Sequence, residues 1–356
     1  MATAATRIPA HVLTGFLGSG KTTLLNRLLQ DPLLGNCAVL INEFGAIGVD
    51  HHLVDRVEGD MVLLASGCIC CTVRGDLAEA LRALYARREA GTVPAFARVV
   101  IETTGLADPV PVLATLMFDR ILQNHFAVGS VVTTIDALNG AANLQEFAVC
   151  RKQATSADLL VLTKLDLAEP QAGPRLRQEL QALNPAGQVL DADAATELAA
   201  LLLAAPDPQT PAPGMAMANS TAGSLRSHFF APRSPSDEAA APGSIHGDIH
   251  SFVLQIPQAM DWTVFGIWLS LLLHAHGERV LRVKGLLQVQ GAHTPVVVHG
   301  VQQLVYPPTH LSRWPDGPRQ SELVFIVRGL EQAAVEASLQ GYLERFSKTD
   351  RTTAAR

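Results

Sequence analysis

The sequence has no run of 18 or more apolar residues, and no apolar core of signal-peptide length follows its amino terminus, MATAATRIPAHVLTGFLGSG. A membrane span is therefore not expected, and the reading is of a cytoplasmic protein. Positive charge is also short: 27 Lys and Arg face 33 Asp and Glu, for a net charge of −6. Such a chain has no basic footprint for nucleic acid or an anionic membrane, so neither is expected as a partner. Cysteine is the scarcest informative residue. There are five, an odd number, and three of them crowd into the stretch ASGCICCTVRGDL as Cys68, Cys70 and Cys71. That distribution argues against a disulfide framework and for thiols kept reduced for metal or redox chemistry.

What is present is an alternation of short β-rich runs with helical stretches up to about Ala205. Strands are expected at 8–13, 37–42, 61–64, 98–101, 130–135, 158–162 and 188–190, many of them apolar without alternation, as strands covered on both faces should be. Helices are expected at 22–30, 74–90, 110–116, 144–155 and 175–183. The pattern predicts an α/β fold with a mainly parallel sheet and helices on both faces, assigned to residues 1–205. Residues 206–244 are rich in Pro, Ala, Gly and Ser and are expected to form a flexible linker, because they cannot bury enough apolar surface to offset their ordering entropy. Residues 245–347 predict a smaller α+β domain with strands at 249–256, 279–289, 295–305 and 323–327 and helices at 262–274 and 331–345; a tail occupies 348–356.

The strongest chemical signal is Gly15-Phe-Leu-Gly18-Ser19-Gly20-Lys21-Thr22-Thr23, which fits G-x-x-x-x-G-K-[ST] between an expected strand and helix. There the glycines let backbone N–H groups wrap phosphates, Lys21 reaches the β- and γ-phosphates, and the Thr22 hydroxyl faces Mg²⁺. The competing reading is an ordinary glycine-rich turn. A P-loop needs a second magnesium anchor, and Arg98-Val-Val-Ile-Glu102-Thr-Thr-Gly105 supplies a carboxylate, Glu102, at the end of an apolar strand, then a glycine N–H for the γ-phosphate. The alternative for Glu102 is a helix-capping or merely solvated acid, against which stands the apolar run that ends in this charge. The run ending Thr163-Lys164-Leu165-Asp166 offers a carboxylate that can accept from guanine N1–H and its exocyclic amine, with a lysine stem over the base, which favours GTP over ATP. Isolated from a P-loop, it would read as a charged surface turn.

Thiolates are soft ligands suited to zinc, copper(I) and iron–sulfur clusters, and C-x-C-C brings two or three sulfurs around one ion. Four ligands close a structural zinc site, so three suggest an ion with an exchangeable position. Packing and a redox switch are the alternatives. Cys37 and Cys150 are expected in the core. His51 and His52 read as solvated loop residues, and His274 and His276 as residues near a helix carboxyl terminus.

Taken together, GFLGSGKTTLL, INEFG (Ile41 to Gly45), GCICCTVRGDL, ETTG, TKLD, LRVKGLL (Leu281 to Leu287) and YPPTHLSRWP (Tyr306 to Pro315) resemble the CobW-like family of GTP-hydrolysing metallochaperones over nearly the whole chain outside the linker. The resemblance implies a SIMIBI-class GTPase domain, then a CobW C-terminal domain, with the GTP cycle gating delivery of zinc or cobalt to a client metalloprotein. It implies Lys21 and Thr22 on phosphate and Mg²⁺, Glu102 as the acid of the second magnesium motif, Cys68, Cys70 and Cys71 as metal thiolates, and Glu43 as a further metal or nucleotide-sensing group. Three departures stand out. Thr163 replaces a usual asparagine, removing an amide contact to the base; Ala46 stands where many relatives carry an acid; and no histidine-rich tract accompanies His228, His246 and His250. No residue announces itself as the water-positioning group, so slow intrinsic turnover is expected. Two other functions share these motifs: an activator of a metalloenzyme such as a nitrile hydratase, and a nucleotide-binding regulatory module with a passive zinc.

Overall fold

Eight successive buried residues, Ile8–Gly15, form β1, and a strand without an exposed side needs cover on both faces. It receives that cover at the centre of a seven-stranded sheet. In this computed structural model, which describes residues 7–34, 36–42, 62–66, 74–203, 249–315 and 318–353, the chain divides into two compact units. The expected linker at 206–244 lies outside the described residues, as do Glu43, Ala46, His51, His52, Cys68, Cys70, Cys71, His228 and His246.

In the first unit β2 (Cys37–Asn42), β3 (Val62–Ser66), β4 (Arg98–Glu102), β5 (Phe126–Asp136), β6 (Leu159–Thr163) and β7 (Gln188–Asp191) join β1 in the order β3-β2-β4-β1-β5-β6-β7. Every neighbouring pair is parallel, as the apolar runs predict. Helices α1 (Lys21–Leu29), α2 (Arg74–Glu89), α3 (Val110–Phe118), α4 (Leu122–His125), α5 (Gly140–Glu146), α6 (Ala148–Ser156), α7 (Ala172–Leu183) and α8 (Ala195–Leu203) complete it. Leu24, Leu25 and Leu28 lie at helical spacing on α1 and pack with Leu198 and Leu202 of α8 over Val39, Val100 and Val161 of the sheet.

The helices of this unit depart from expectation in three places, the single turn α4 among them. The single helix expected at 144–155 is two, because Phe147 takes an extended conformation (φ −104°, ψ 119°) between α5 and α6. Its ring stacks on Phe16 with centroids 4.8 Å apart. Helix α8 is not among the expected elements: ATELAALLL is apolar almost throughout and lacks the polar face at 3.6-residue spacing that marks an amphipathic helix.

The second unit contains β8 (Ile249–Ile256), β9 (Val280–Leu287), β10 (Val296–Val301), β11 (Leu304–Val305), β12 (Thr309–His310) and β13 (Ser321–Arg328), with α9 (Trp262–His276) and α10 (Gln332–Thr353). The sheet runs β11-β10-β9-β13-β8, with β12 beside β10, and its ladders are antiparallel. The strand expected at 295–305 folds back on itself at Gln302, whose φ of 52° turns the chain so that Val301 pairs Leu304. The final helix runs past its expected end at Arg345 to Thr353. One face of this sheet, with Phe252, Leu254, Val283, Leu323 and Phe325, is packed under Phe265 and Trp268 of α9 and Val335 and Leu339 of α10. Period-two alternation sends Arg282, Lys284 and Glu322 to the opposite face, and all three are buried.

Among the described residues, no helix is long and apolar enough to cross a membrane.

Candidate functional site

β1 ends in Gly15, and the following turn needs backbone conformations that side chains resist. Gly15, Gly18 and Gly20 have φ values of 142°, 68° and 86°. A Cβ on Gly15 would lie 2.3 Å from the Thr134 hydroxyl oxygen, so the loop also lacks room for one there. Gly20 is the residue before α1, and the Leu24 N–H donates to its carbonyl at 2.9 Å. The loop thus delivers the amino end of α1 to the carboxyl edge of the sheet; the first N–H groups of a helix have no intrahelical acceptor, and such an arrangement attracts anions.

Lys21 is folded over this loop: its Nζ donates to the carbonyls of Gly15 and Phe16 at 3.2 and 3.1 Å. The Thr22 hydroxyl donates to Glu102 Oε1 at 2.7 Å. Glu102, at the end of β4, is only 4% exposed, and the parallel pairing of β4 with β1 places it level with Leu13. A hydroxyl and a carboxylate in contact beside an anion cradle are the hard oxygen donors that Mg²⁺ selects, so these residues fit a magnesium-bound nucleotide. Gly105 follows closely, and a Cβ on it would stand 2.6 Å from the Leu17 backbone nitrogen, so the loop after β4 passes directly against the P-loop.

Braces inside the sheet edge hold the loop. Ser19 Oγ and Thr134 Oγ1 share a hydrogen bond of 2.7 Å, and Thr163 Oγ1 donates to the Ser19 carbonyl at 2.8 Å. Thr163 is therefore buried against the P-loop backbone. Lys164 adopts a left-handed conformation (φ 57°), and its Nζ donates to Asp136 Oδ2 at 3.3 Å. Asp166 is exposed in the 3₁₀ turn Leu165–Leu167. Thr23 lies in the first turn of α1. The structure thus brings Gly15, Gly18, Ser19, Gly20, Lys21, Thr22, Thr23, Glu102, Gly105, Thr163, Lys164 and Asp166 to the carboxyl ends of β1, β4 and β6. Sequence reasoning missed Asp136, which also accepts the Asn139 N–H at 2.6 Å. Its signal was available: like Glu102, it is an acid that directly follows an expected strand, Ser-Val-Val-Thr-Thr-Ile.

The remaining cysteines behave as core residues. Cys37 and Cys150 are buried, and burial pushes their thiols up to about 12 and about 11. Thiols that stay protonated are poor ligands. Among the described residues, no group of three or more His, Cys, Asp or Glu could hold a metal ion.

Comparison with known proteins accords with this architecture. Residues 9–191 match the family model described as CobW/HypB/UreG, nucleotide-binding domain, and residues 249–343 match the cobalamin synthesis protein cobW C-terminal domain. The chain is 29% identical to the zinc chaperone YjiA of Escherichia coli, covering 94% of this chain and 98% of that protein. The zinc-regulated GTPase metalloprotein activator 1 of Schizosaccharomyces pombe is 35% identical over 52% of this chain and 45% of its own length. Among solved structures, Zn(II)-bound YjiA GTPase from E. coli superposes with a TM-score of 0.62 at 25% identity, covering 95% of this chain and 99% of that one. The parallel sheet with its P-loop and the antiparallel unit after it each match their part of the family, and the chain belongs to the CobW family.

Proposed function

We propose that the protein is a GTP-hydrolysing metallochaperone that takes zinc or cobalt on Cys68, Cys70 and Cys71 and delivers it to a client metalloprotein in the cytoplasm. One observation supports coupling of nucleotide to metal most directly. β2 and β3 are parallel neighbours in which Asn42 pairs with Ser66, and Ile41 pairs with Glu102 of β4. Asn42 immediately precedes Glu43, and Ser66 is two residues before Cys68. Strand neighbours lie about 4.8 Å apart, so β2 and β3, the strands that precede the two candidate metal segments, end on the same side of the sheet as Glu102. The names of the relatives, zinc chaperone and zinc-regulated GTPase metalloprotein activator, support the same reading.

In this reading Gly15, Gly18, Ser19, Gly20 and Thr23 wrap the phosphates, with Lys21 moving from the loop carbonyls to the β- and γ-phosphates. Thr22 and Glu102 would hold Mg²⁺, which when bound would supply positive charge to offset that of the phosphates. Gly105 offers its N–H to the γ-phosphate. Asp166 accepts from guanine, the Lys164 stem covers the base, and Thr163 serves the site by bracing Ser19. Glu43 joins the transferred ion or senses the nucleotide. A γ-phosphate orders the loops it touches, and hydrolysis releases them, which makes metal transfer directional. Intrinsic hydrolysis is slow in the absence of a partner. Residues 206–244 link the GTPase domain, 1–205, to the C-terminal domain, 245–347.

The test is a zinc and cobalt titration of reduced protein without nucleotide, with Mg·GDP and with a non-hydrolysable Mg·GTP analogue. The expected result is one ion per chain, with affinity changed at least about tenfold by the γ-phosphate, corresponding to about 1.4 kcal/mol of coupling. Equal affinities in all three states would instead favour a GTPase carrying a passive metal.

A further inference from the structure

The loop after β4, from Thr103 to Pro109, is secured at its start by β1. The Thr103 N–H donates to the Leu13 carbonyl at 2.9 Å, and the Thr103 hydroxyl donates to Thr14 Oγ1 at 2.8 Å. Its middle is held from the other side, by α6. The Gln153 side-chain amide donates to the carbonyls of both Gly105 and Ala107, at 3.2 and 3.0 Å, and Gln153 is 1% exposed. Both partners are acceptors, which fixes the orientation of the amide. The next residue toward the amino end, Lys152, pairs with Asp108 at 2.9 Å, while the other oxygen of Asp108 accepts the Val110 N–H at the start of α3. Gln153 is itself anchored, because Thr133 of β5 donates to its backbone carbonyl at 3.0 Å.

Glycine has no side chain to restrict its peptide, so Gly105 would otherwise sample many orientations beside Leu17. We infer that Gln153 is a positioning residue for γ-phosphate recognition: by holding the Gly105 and Ala107 carbonyls it pre-sets the loop that meets the terminal phosphate, and it favours GTP over GDP without touching either. The inference rests on the nucleotide reading above and adds a residue outside every motif in the sequence. It also makes α6 the helix that feels the nucleotide state, since Phe147 before its first turn stacks on Phe16 of the P-loop.

The test compares wild type with Gln153→Met, which keeps the length of the side chain and removes both donors, in binding to Mg·GDP and a non-hydrolysable Mg·GTP analogue. Loss of two neutral hydrogen bonds is expected to lower analogue affinity about tenfold and GDP affinity less than about twofold. A purely structural role would lower both equally, and that result, or no change in either, overturns the inference. If Gln153→Met does not fold, Lys152→Met reports on the same loop from a half-exposed position: a loss of about threefold for the analogue alone is expected, and an unchanged ratio of the two affinities overturns the inference. Wild-type protein that binds neither nucleotide would overturn the underlying GTPase reading, a result separable from unchanged selectivity in the variants.

Discussion

The two sheets of this protein place their polar residues in opposite ways. In the parallel sheet, strands such as Leu159–Thr163 are buried throughout, and the groups with chemistry gather at strand ends: Gly15, Glu102, Asp136 and Thr163. In the antiparallel sheet, the charged groups sit within the strands. Arg282 and Lys284 alternate with Val283 and Gly285 along β9, and Lys284 lies opposite His299, whose ring stacks on Tyr306 at 4.2 Å. A sheet covered by helices on both faces has only its edges left for ligands. A sheet with helices on one face keeps the other for polar contacts. The contrast accounts for why the nucleotide motifs read as strand-to-helix junctions while LRVKGLL reads as a strand.

The sharpest break of that contrast comes at a strand end. Lys21→Ala is expected to lower GTP turnover by about 10²–10³-fold, the scale of losing one preorganised charge-stabilising donor, while metal stoichiometry stays unchanged; phosphate release and metal content measure the two. In the second sheet the equivalent disruption lies mid-strand. A Cβ on Gly285 would fall 2.0 Å from the Glu322 carbonyl oxygen of the paired strand, a backbone atom with nowhere to go. Gly285→Ala is expected to destabilise the second unit by about 3 kcal/mol in denaturant unfolding while leaving the first unit's transition in place. A smaller effect is expected at the P-loop brace. Thr163→Val removes the donor to the Ser19 carbonyl and should weaken nucleotide binding by about 1 kcal/mol, measured by nucleotide titration, with GTP and GDP affected alike.

The smallest effect at neutral pH comes from within the parallel sheet, at a residue that departs from its apolar strands. His11 on β1 accepts the Ser130 N–H at its Nδ1, and burial, aided by Arg98 and opposed by Asp158, lowers its pKa from 6.5 to about 3. The folded state therefore keeps the neutral imidazole, whereas the unfolded chain takes up a proton below about pH 6.5. This contribution is complete above 6.5 and declines as pH falls toward 3. His11→Gln should flatten the acid limb of the stability curve over that window and change little at pH 7, as thermal unfolding across pH will show.

Much of the site was legible because its chemistry depends on neighbours in sequence. Gly15 to Thr23 needs strand, glycines, lysine and hydroxyl in one order, and Glu102 advertises itself as the first charge after Val99-Val100-Ile101. Elsewhere the sequence was less clear. Phe147 carries no mark of the break it makes between α5 and α6, because the cause is a ring 131 positions earlier, Phe16. Gln153 reads as an ordinary polar residue on a helix until its two carbonyl partners are seen. The part played by Thr163 changed as well: the missing asparagine amide directed attention to the base, and the fold turns the threonine hydroxyl to the P-loop instead.

The sequence by itself determined every strand of the parallel sheet, most of its helices, the glycine loop between β1 and α1 and the identity of the charged groups at strand ends, since periodicity, glycine and strand-end acids act over a few residues. Only the tertiary structure decided which of those ends meet. Thr22 and Glu102 are 80 positions apart and touch because parallel pairing sets β4 level with β1. Parallel pairing of β2 with β3 likewise aligns Asn42 with Ser66, and packing of α6 against the sheet brings Gln153 to the Gly105 carbonyl; such contacts belong to the packed fold, where hydrogen bonding and burial act across the chain at once.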